Sequence, residues 1–222
     1  MTRCFFREAL RIARLFLGLF AYSFGIVMTL RANVGYSPWD VFHQGVTLHI
    51  GLTFGEANIL VAVTIVAIVV LMKEKVGFGT LCNMIFIGVF MDVVLSGDWI
   101  PLMRGFVSGV AMMIGGLFVI GVATVLYIGA GYGAGPRDSL MVVLTKRTGK
   151  PVGLCRSCIE GAVLLAGWLL GGFAGWGTVI SALGIGVVVQ IVFFVFGFDV
   201  KKVRQESCRE TFLRLTGKTG RR

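Results

Sequence analysis

The chain has 222 residues, 56% of them apolar and only 14% charged, with a mean hydropathy of +0.89. Those values exclude an ordinary soluble domain and indicate an integral membrane protein. The formal charge of +10 does not point to nucleic acid, because the basic residues sit at the chain ends and in a few loops, where they read as topology signals.

Arg3, Arg7, Arg11 and Arg14 precede a long apolar run. A cleaved secretory signal is not expected, since the run exceeds the roughly 7 to 15 residues of a signal core and no small-x-small site follows it. Arg11 and Arg14 are therefore expected to open a first span, Ile12 to Leu30, that ends at Arg31-Ala32-Asn33. The next stretch, Gly35-Tyr36-Ser37-Pro38-Trp39-Asp40, interrupts the apolar pattern and spells a helix start. Ser37 can accept a hydrogen bond from a free amide, Pro38 suits the first helical position, and Asp40 can reach back toward the positive helix end. The helix so begun, to about Ile50, rises about 18 Å, too little for a full crossing. It is expected to be re-entrant.

A second span begins with Glu56 and Asn58 and ends at Lys73-Glu74-Lys75. A third runs from Gly77-Phe78-Gly79-Thr80 to about Leu95 and carries Asn83 and Asp92 inside its apolar run. The loop Ser96 to Pro101 closes this half, with Trp99 at an interfacial position.

The second half repeats the plan at a constant shift of 98 residues. Gly35, Pro38 and Asp40 match Gly133, Pro136 and Asp138; Thr47, Gly51 and Gly55 match Thr145, Gly149 and Gly153; Gly77, Gly79 and Thr80 match Gly175, Gly177 and Thr178. Proline, aspartate and two threonines keeping one shift indicate an internal duplication. If the short helices only dip into the bilayer, there are six spans, the copies are inverted, and Lys73, Lys75, Arg137, Lys146, Arg147, Lys150 and Arg156 share one side against Arg31 and Arg104. The positive-inside rule favours this over eight spans with parallel copies.

The expected fold is thus an all-α polytopic membrane helix bundle of two inverted repeats, each with three spans and one re-entrant half-helix. Its parts are a basic cytoplasmic N-terminus (1–10), repeats at 11–96 and 105–197, a connecting loop (97–104) and a basic cytoplasmic tail (198–222). That tail, with Lys201, Lys202, Arg204, Arg209 and Arg214, reads as a topology anchor that meets anionic lipid.

Paired half-helices bring amide ends together where an anion or polar group can be held. Asp40 and Asp138 occupy equivalent places there, either capping their own helices or serving a proton or cation. A ligand site can depart from the duplication: Trp39 corresponds to Arg137, Asn58 to Arg156, and Ala62 to Glu160, so Arg156 and Glu160 can pair at i,i+4 spacing. Asp92 and Gln190 correspond late in each third span, placed to cap a pore or sit at an interface. The candidate solute or ion site is Asn33, Ser37, Asp40, Glu56, Asn58, Asp92, Arg137, Asp138, Arg156 and Glu160.

No catalytic or metal-binding set is expected. The sequence has no His-Glu-x-x-His, no phosphate loop and no Ser/His/Asp order. His43 and His49 are six apart, off metal spacing on one helix face, and Cys155-Arg156-Ser157-Cys158 has no second pair, so its thiols read as ordinary. Gly105/Gly109, Gly167/Gly171 and Gly171/Gly175 follow small-x-x-x-small spacing, which suits close packing or hinges.

The Leu19-Phe20 pair, the Gly35-x-Ser37-Pro38-Trp39-Asp40 block, the Gly51 to Asn58 stretch and Gly77-x-Gly79-Thr80 with Asn83 resemble the small bacterial YczE/YyaS/YitT-type membrane proteins. The resemblance implies a bacterial inner-membrane protein without a settled activity, connected in some members with antibiotic production or export. It carries over no site residue and no cofactor. The function expected is a small-solute transporter or channel-like permease, the alternative a non-transporting accessory of a biosynthetic or membrane partner. Expected partners are membrane lipid, an unidentified solute, and either a second copy or another membrane protein.

Overall fold

In the computed structural model, residues 2–150, 152–199, 202–203 and 205–215 are described. Lys201 and Arg204 lie outside the described residues, as do the side chains of Arg3, Cys4, Arg7, Leu213, Arg214 and Leu215. The described chain is all helical: α1 (Thr2–Arg31), α2 (Pro38–Ile50), α3 (Phe54–Leu71), α4 (Phe78–Ser96), α5 (Phe106–Gly129), α6 (Pro136–Thr148), α7 (Val152–Leu169), α8 (Trp176–Val195) and α9 (Cys208–Leu215). Helix α1 begins at Thr2 rather than at Ile12, so the basic N-terminal segment continues the first span's helix.

The boundaries of α6 and α7 are those of α2 and α3 displaced by 98 residues, and α8 starts 98 residues after α4. The causes are local. Pro38 and Pro136 each occupy the first turn, where a missing amide costs nothing, and Asp40 and Asp138 follow in that turn. Each short helix ends on a left-handed glycine, Gly51 (φ 73°) or Gly149 (φ 65°), whose amide bonds back to Thr47 or Thr145. The Ser37 cap differs from expectation. Its hydroxyl donates to Asp40 Oδ2 (2.5 Å) instead of accepting from a backbone amide. Helix α3 starts on a capping box between Thr53 and Glu56.

Among the described residues, five helices are long and apolar enough to cross a membrane: α1 (from Glu8), α3, α4, α5 and α8. Helix α7 is 18 residues long and carries Arg156 and Glu160 within an otherwise largely apolar run. At about 1.5 Å per residue, the 13 residues of α2 and of α6 rise about 20 Å, short of the ~30 Å hydrocarbon layer.

Helices α1 and α5 form the spine and run antiparallel. Arg14 of α1 reaches Val125 late in α5, Gly25 packs on Gly116 and Ile120, and Ala32 packs on Gly109 near the start of α5. A Cβ at Gly25 would lie 2.9 Å from the Gly116 carbonyl oxygen, and one at Gly109 would lie 2.4 Å from that of Ala32. These glycines therefore serve close packing. Helix α4 flanks α1 and α8 flanks α5, while α2 packs on α7 and α6 packs on α3. The core lies along the spine at Leu15, Leu19, Val27, Met91 and Tyr127, with edge-on pairs Phe16–Phe86 and Phe20–Phe90 against it. Large apolar side chains such as Leu17, Val107, Leu183 and Phe194 point outward, as a lipid-facing surface requires.

The tail is more than a charged anchor. Glu206 and Cys208 donate their amides to Gly131 and Val76, and Gln205 Oε1 accepts from the Gly133 amide. Residues 205–208 thus bind the segments before α4 and after α5.

Candidate functional site

The first turns of α2 and α6 open onto one central cavity of about 150 Å³, the share of roughly five water molecules. Residue 39 of the first helix meets residue 137 of the second. The Arg137 guanidinium lies 4.7 Å over the Trp39 ring centroid, a cation–π contact between positions that correspond at the 98-residue shift. Backbone bonds hold the two entry loops in mirrored fashion: Gly79 N–H donates to Tyr132 O at 2.7 Å and Gly177 N–H to Val34 O at 2.6 Å.

Seven of the ten residues selected from the sequence line this cavity: Ser37, Asp40, Asn58, Arg137, Asp138, Arg156 and Glu160. Arg156 Nε and Glu160 Oε1 pair at 2.9 Å, as their spacing suggested. Arg137 donates to Asn58 Oδ1 at 3.3 Å, and among the described residues no carboxylate forms an ion pair with it. Tyr127 donates its hydroxyl to Asp138 at 3.3 Å.

Three selected residues lie elsewhere. Asn33, left-handed at φ 55°, bonds to Met103 O and borders a shallow groove with Arg104 and Trp176. Glu56 is consumed by the α3 capping box. Asp92 accepts from the Thr53 hydroxyl (2.5 Å) and the Gly55 amide (2.8 Å), so it fastens α4 to the start of α3 and does not face the cavity. Each of these polar groups is satisfied locally, at an element end, where backbone donors need partners.

The cavity also holds groups not selected from the sequence, chiefly His43, Tyr22, Tyr127, Asn83 and Ser181. His43 is fully buried, with Nδ1 3.4 Å from Asp40 Oδ1. That Asp40 oxygen and both ring nitrogens are buried without a hydrogen-bond partner among the described residues. The signal was present, since His43 is three residues after Asp40 and shares its helix face. Weighing it only against His49, with which it makes no metal pair, obscured this; His49 Nδ1 contacts the carbonyl of Gly45. Cys155 is buried and Cys158 exposed, and no group of three or more His, Cys, Asp or Glu gathers among the described residues.

Three carboxylates (Asp40, Asp138 and Glu160), two guanidiniums (Arg137 and Arg156) and the His43 imidazole share the cavity with walls of isoleucine, leucine and valine. Ionisable groups at membrane depth are costly unless they pair or hydrogen-bond, as Arg156 does with Glu160 and Arg137 with Asn58.

The chain is similar to the Uncharacterized membrane protein YczE of Bacillus subtilis (strain 168), 36% identical over 177 residues, which are 79% of this chain and 81% of that one. An Uncharacterized protein of Haemophilus influenzae is 34% identical over 78% of this chain and 79% of its own. The Uncharacterized protein YyaS of Bacillus subtilis is 23% identical over 79% of this chain and 88% of its own. No solved structure matches. The matched region contains both short helices and the whole cavity, for the family model covers residues 9–193, and this chain belongs to the family of unknown function DUF6198.

Proposed function

We propose that this protein is a membrane permease for a small polar solute, built as an inverted duplication whose two half-helices frame the transport site. The observation that supports this most is the charged cavity at the meeting point of α2 and α6, lined by corresponding positions from both halves. Antiparallel packing of α1 against α5, which hold equivalent places at the 98-residue shift, supports the inverted arrangement. Orientation follows from charge. Lys146 pairs with Glu74, and Arg147 bonds to Met72 O, so Lys73, Lys75 and Lys150 belong to the same face as these. The opposite face holds Arg31, paired to Asp98, and Arg104. The lysine-rich face is the cytoplasmic one by the positive-inside rule, in a bacterial inner membrane, with both termini on it.

Single-cysteine labelling tests the reading. In a chain whose five native cysteines are replaced, Asp40→Cys, Arg137→Cys and Asp138→Cys are expected to react with small charged thiol reagents in native membranes. Reaction at Leu60→Cys, on the lipid-facing side of α3, is expected to be at least about tenfold slower. Complete protection of all three cavity positions from both sides would favour the accessory role instead.

A further inference from the structure

The two halves share helix boundaries at one shift but pack their third and seventh helices differently. In the first half, the start of α3 is sealed onto α4 at backbone level. A Cβ at Gly55 would lie 2.1 Å from the Gly88 carbonyl oxygen, and one at Gly88 would lie 2.4 Å from that of Gly55. Asp92 fastens this seam through the Thr53 hydroxyl and the Gly55 amide.

Displacing these positions by 98 residues gives Gly153, Gly186, Gln190 and Pro151. Gly153 and Gly186 have nothing within 4 Å among the described residues, and α7 does not pack along α8 as α3 does along α4. The polar residue just inside each seam tells the same story. Asn58 is 5% exposed, whereas the side chain at its counterpart Arg156 is 49% exposed. The entry loops of the two halves agree: Gly35 sits against Gly175 just as Gly133 sits against Gly77.

The sealed seam belongs to the face of Arg31 and Asp98, because Asp92 lies near the end of α4, where Leu95 O meets Arg31. The open seam belongs to the lysine-rich face, since α7 begins directly after Lys150.

We propose that this structure is one end state of an alternating-access cycle, in which the Gly55/Gly88 seam and the Gly153/Gly186 seam close in turn. The proposal rests on the permease reading and deepens it. Equivalent backbones can adopt each other's packing, and glycine at both contact positions lets either seam close to backbone distance. The two closures differ in strength. Asp92 gives its seam a carboxylate that accepts two hydrogen bonds at a helix start, whereas Gln190 offers the other an uncharged amide. That difference holds the face of Arg31 shut at rest and leaves the cavity open toward the lysine-rich face.

The test measures both seams in the full-length chain, reconstituted in liposomes with its native cysteines replaced. Spin labels at Leu52→Cys with Ser96→Cys report the first seam, and labels at the corresponding Lys150→Cys with Phe194→Cys report the second. Electron–electron distance measurements are expected to give a short first-pair and a long second-pair distance. Gly55→Val, which bars closure of the first seam, is expected to lengthen the first pair and shorten the second. Asp92→Gln, a milder change that serves if the valine variant does not fold, is expected to shift the ratio of the two populations about tenfold in the same direction. Lengthening of the first pair without shortening of the second, or no change in either, overturns the proposal. Cysteine reactivity inside the cavity would survive that result, so a static channel and a failed permease reading remain distinguishable.

Discussion

Gly35→Ala is expected to lose about 3 to 5 kcal/mol of stability and most of the folded yield. Gly35 has φ +111°, outside the range of L side chains, and a Cβ there would lie 2.6 Å from the Gly175 amide nitrogen and 2.7 Å from its Cα. Both atoms are backbone and cannot rotate away. Backbone strain and overlap therefore add, against a total stability of only about 5 to 15 kcal/mol. Gly133→Ala is the mirrored case, at φ +117° and 2.8 Å from the Gly77 Cα, and is expected to behave alike. Gly51→Ala separates the two causes, because Gly51 is left-handed at φ +73° but has nothing within 4 Å. It is expected to cost only about 1 kcal/mol. Unfolding midpoints of the detergent-solubilised variants give the comparison. A Gly35→Ala midpoint equal to that of Gly51→Ala would show that the loop contact closes nothing.

The second large effect is expected from Arg11, which ties the N-terminal helix to the tail and to the turn after α5. Its Nε and Nη2 both donate to Ala130 O, at 3.1 and 2.9 Å, and its guanidinium lies 4.6 Å over the Tyr132 ring centroid. Glu206 (3.3 Å) and Glu8 (3.4 Å) complete its ion pairs. Burial and the hydrogen bond to Glu8 push the Tyr132 hydroxyl up to about 12, so at neutral pH it remains a donor to that carboxylate. Arg11→Ala removes a forked donor from two half-hidden carboxylates and one carbonyl. After allowance for partial exposure, the expected loss is about 2 to 3 kcal/mol. Arg11→Lys is expected to restore less than half of it, since a point charge cannot span two acceptors in one plane. Limited proteolysis of the tail should quicken in Arg11→Ala. Unchanged cleavage in that variant would mean that the backbone bonds of Glu206 and Cys208 hold the tail unaided.

The site was legible where chemistry and spacing coincide. Arg156 and Glu160 were identified as a pair because one helix face brings i and i+4 together, and the cavity contains that pair. Asp40, Arg137 and Asp138 were legible because the Gly-x-x-Pro-x-Asp step recurs at a fixed shift. Asn33, Glu56 and Asp92 lie away from the cavity for a common reason: polar residues at element ends stand out in an apolar sequence but serve nearby backbone donors and acceptors. His43 was passed over because its role depends on what lies beside it. Tyr22 and Tyr127 read as ordinary aromatics in apolar runs, although their rings meet at 5.9 Å beside the charged groups.

By itself, the sequence determined that the chain is an all-helical membrane bundle and where its short helices start and stop. Those features depend on local rules: apolar run length, proline and glycine conformations, and residues repeated at one shift. Tertiary structure alone decided that Trp39 stacks beneath Arg137, that Asp92 fastens a seam, and that α3 closes on α4 while α7 stands away from α8. Segments that share a glycine pattern can pack differently because each seam's energy depends on groups distant in sequence, such as the Asp92 carboxylate that reaches the start of α3.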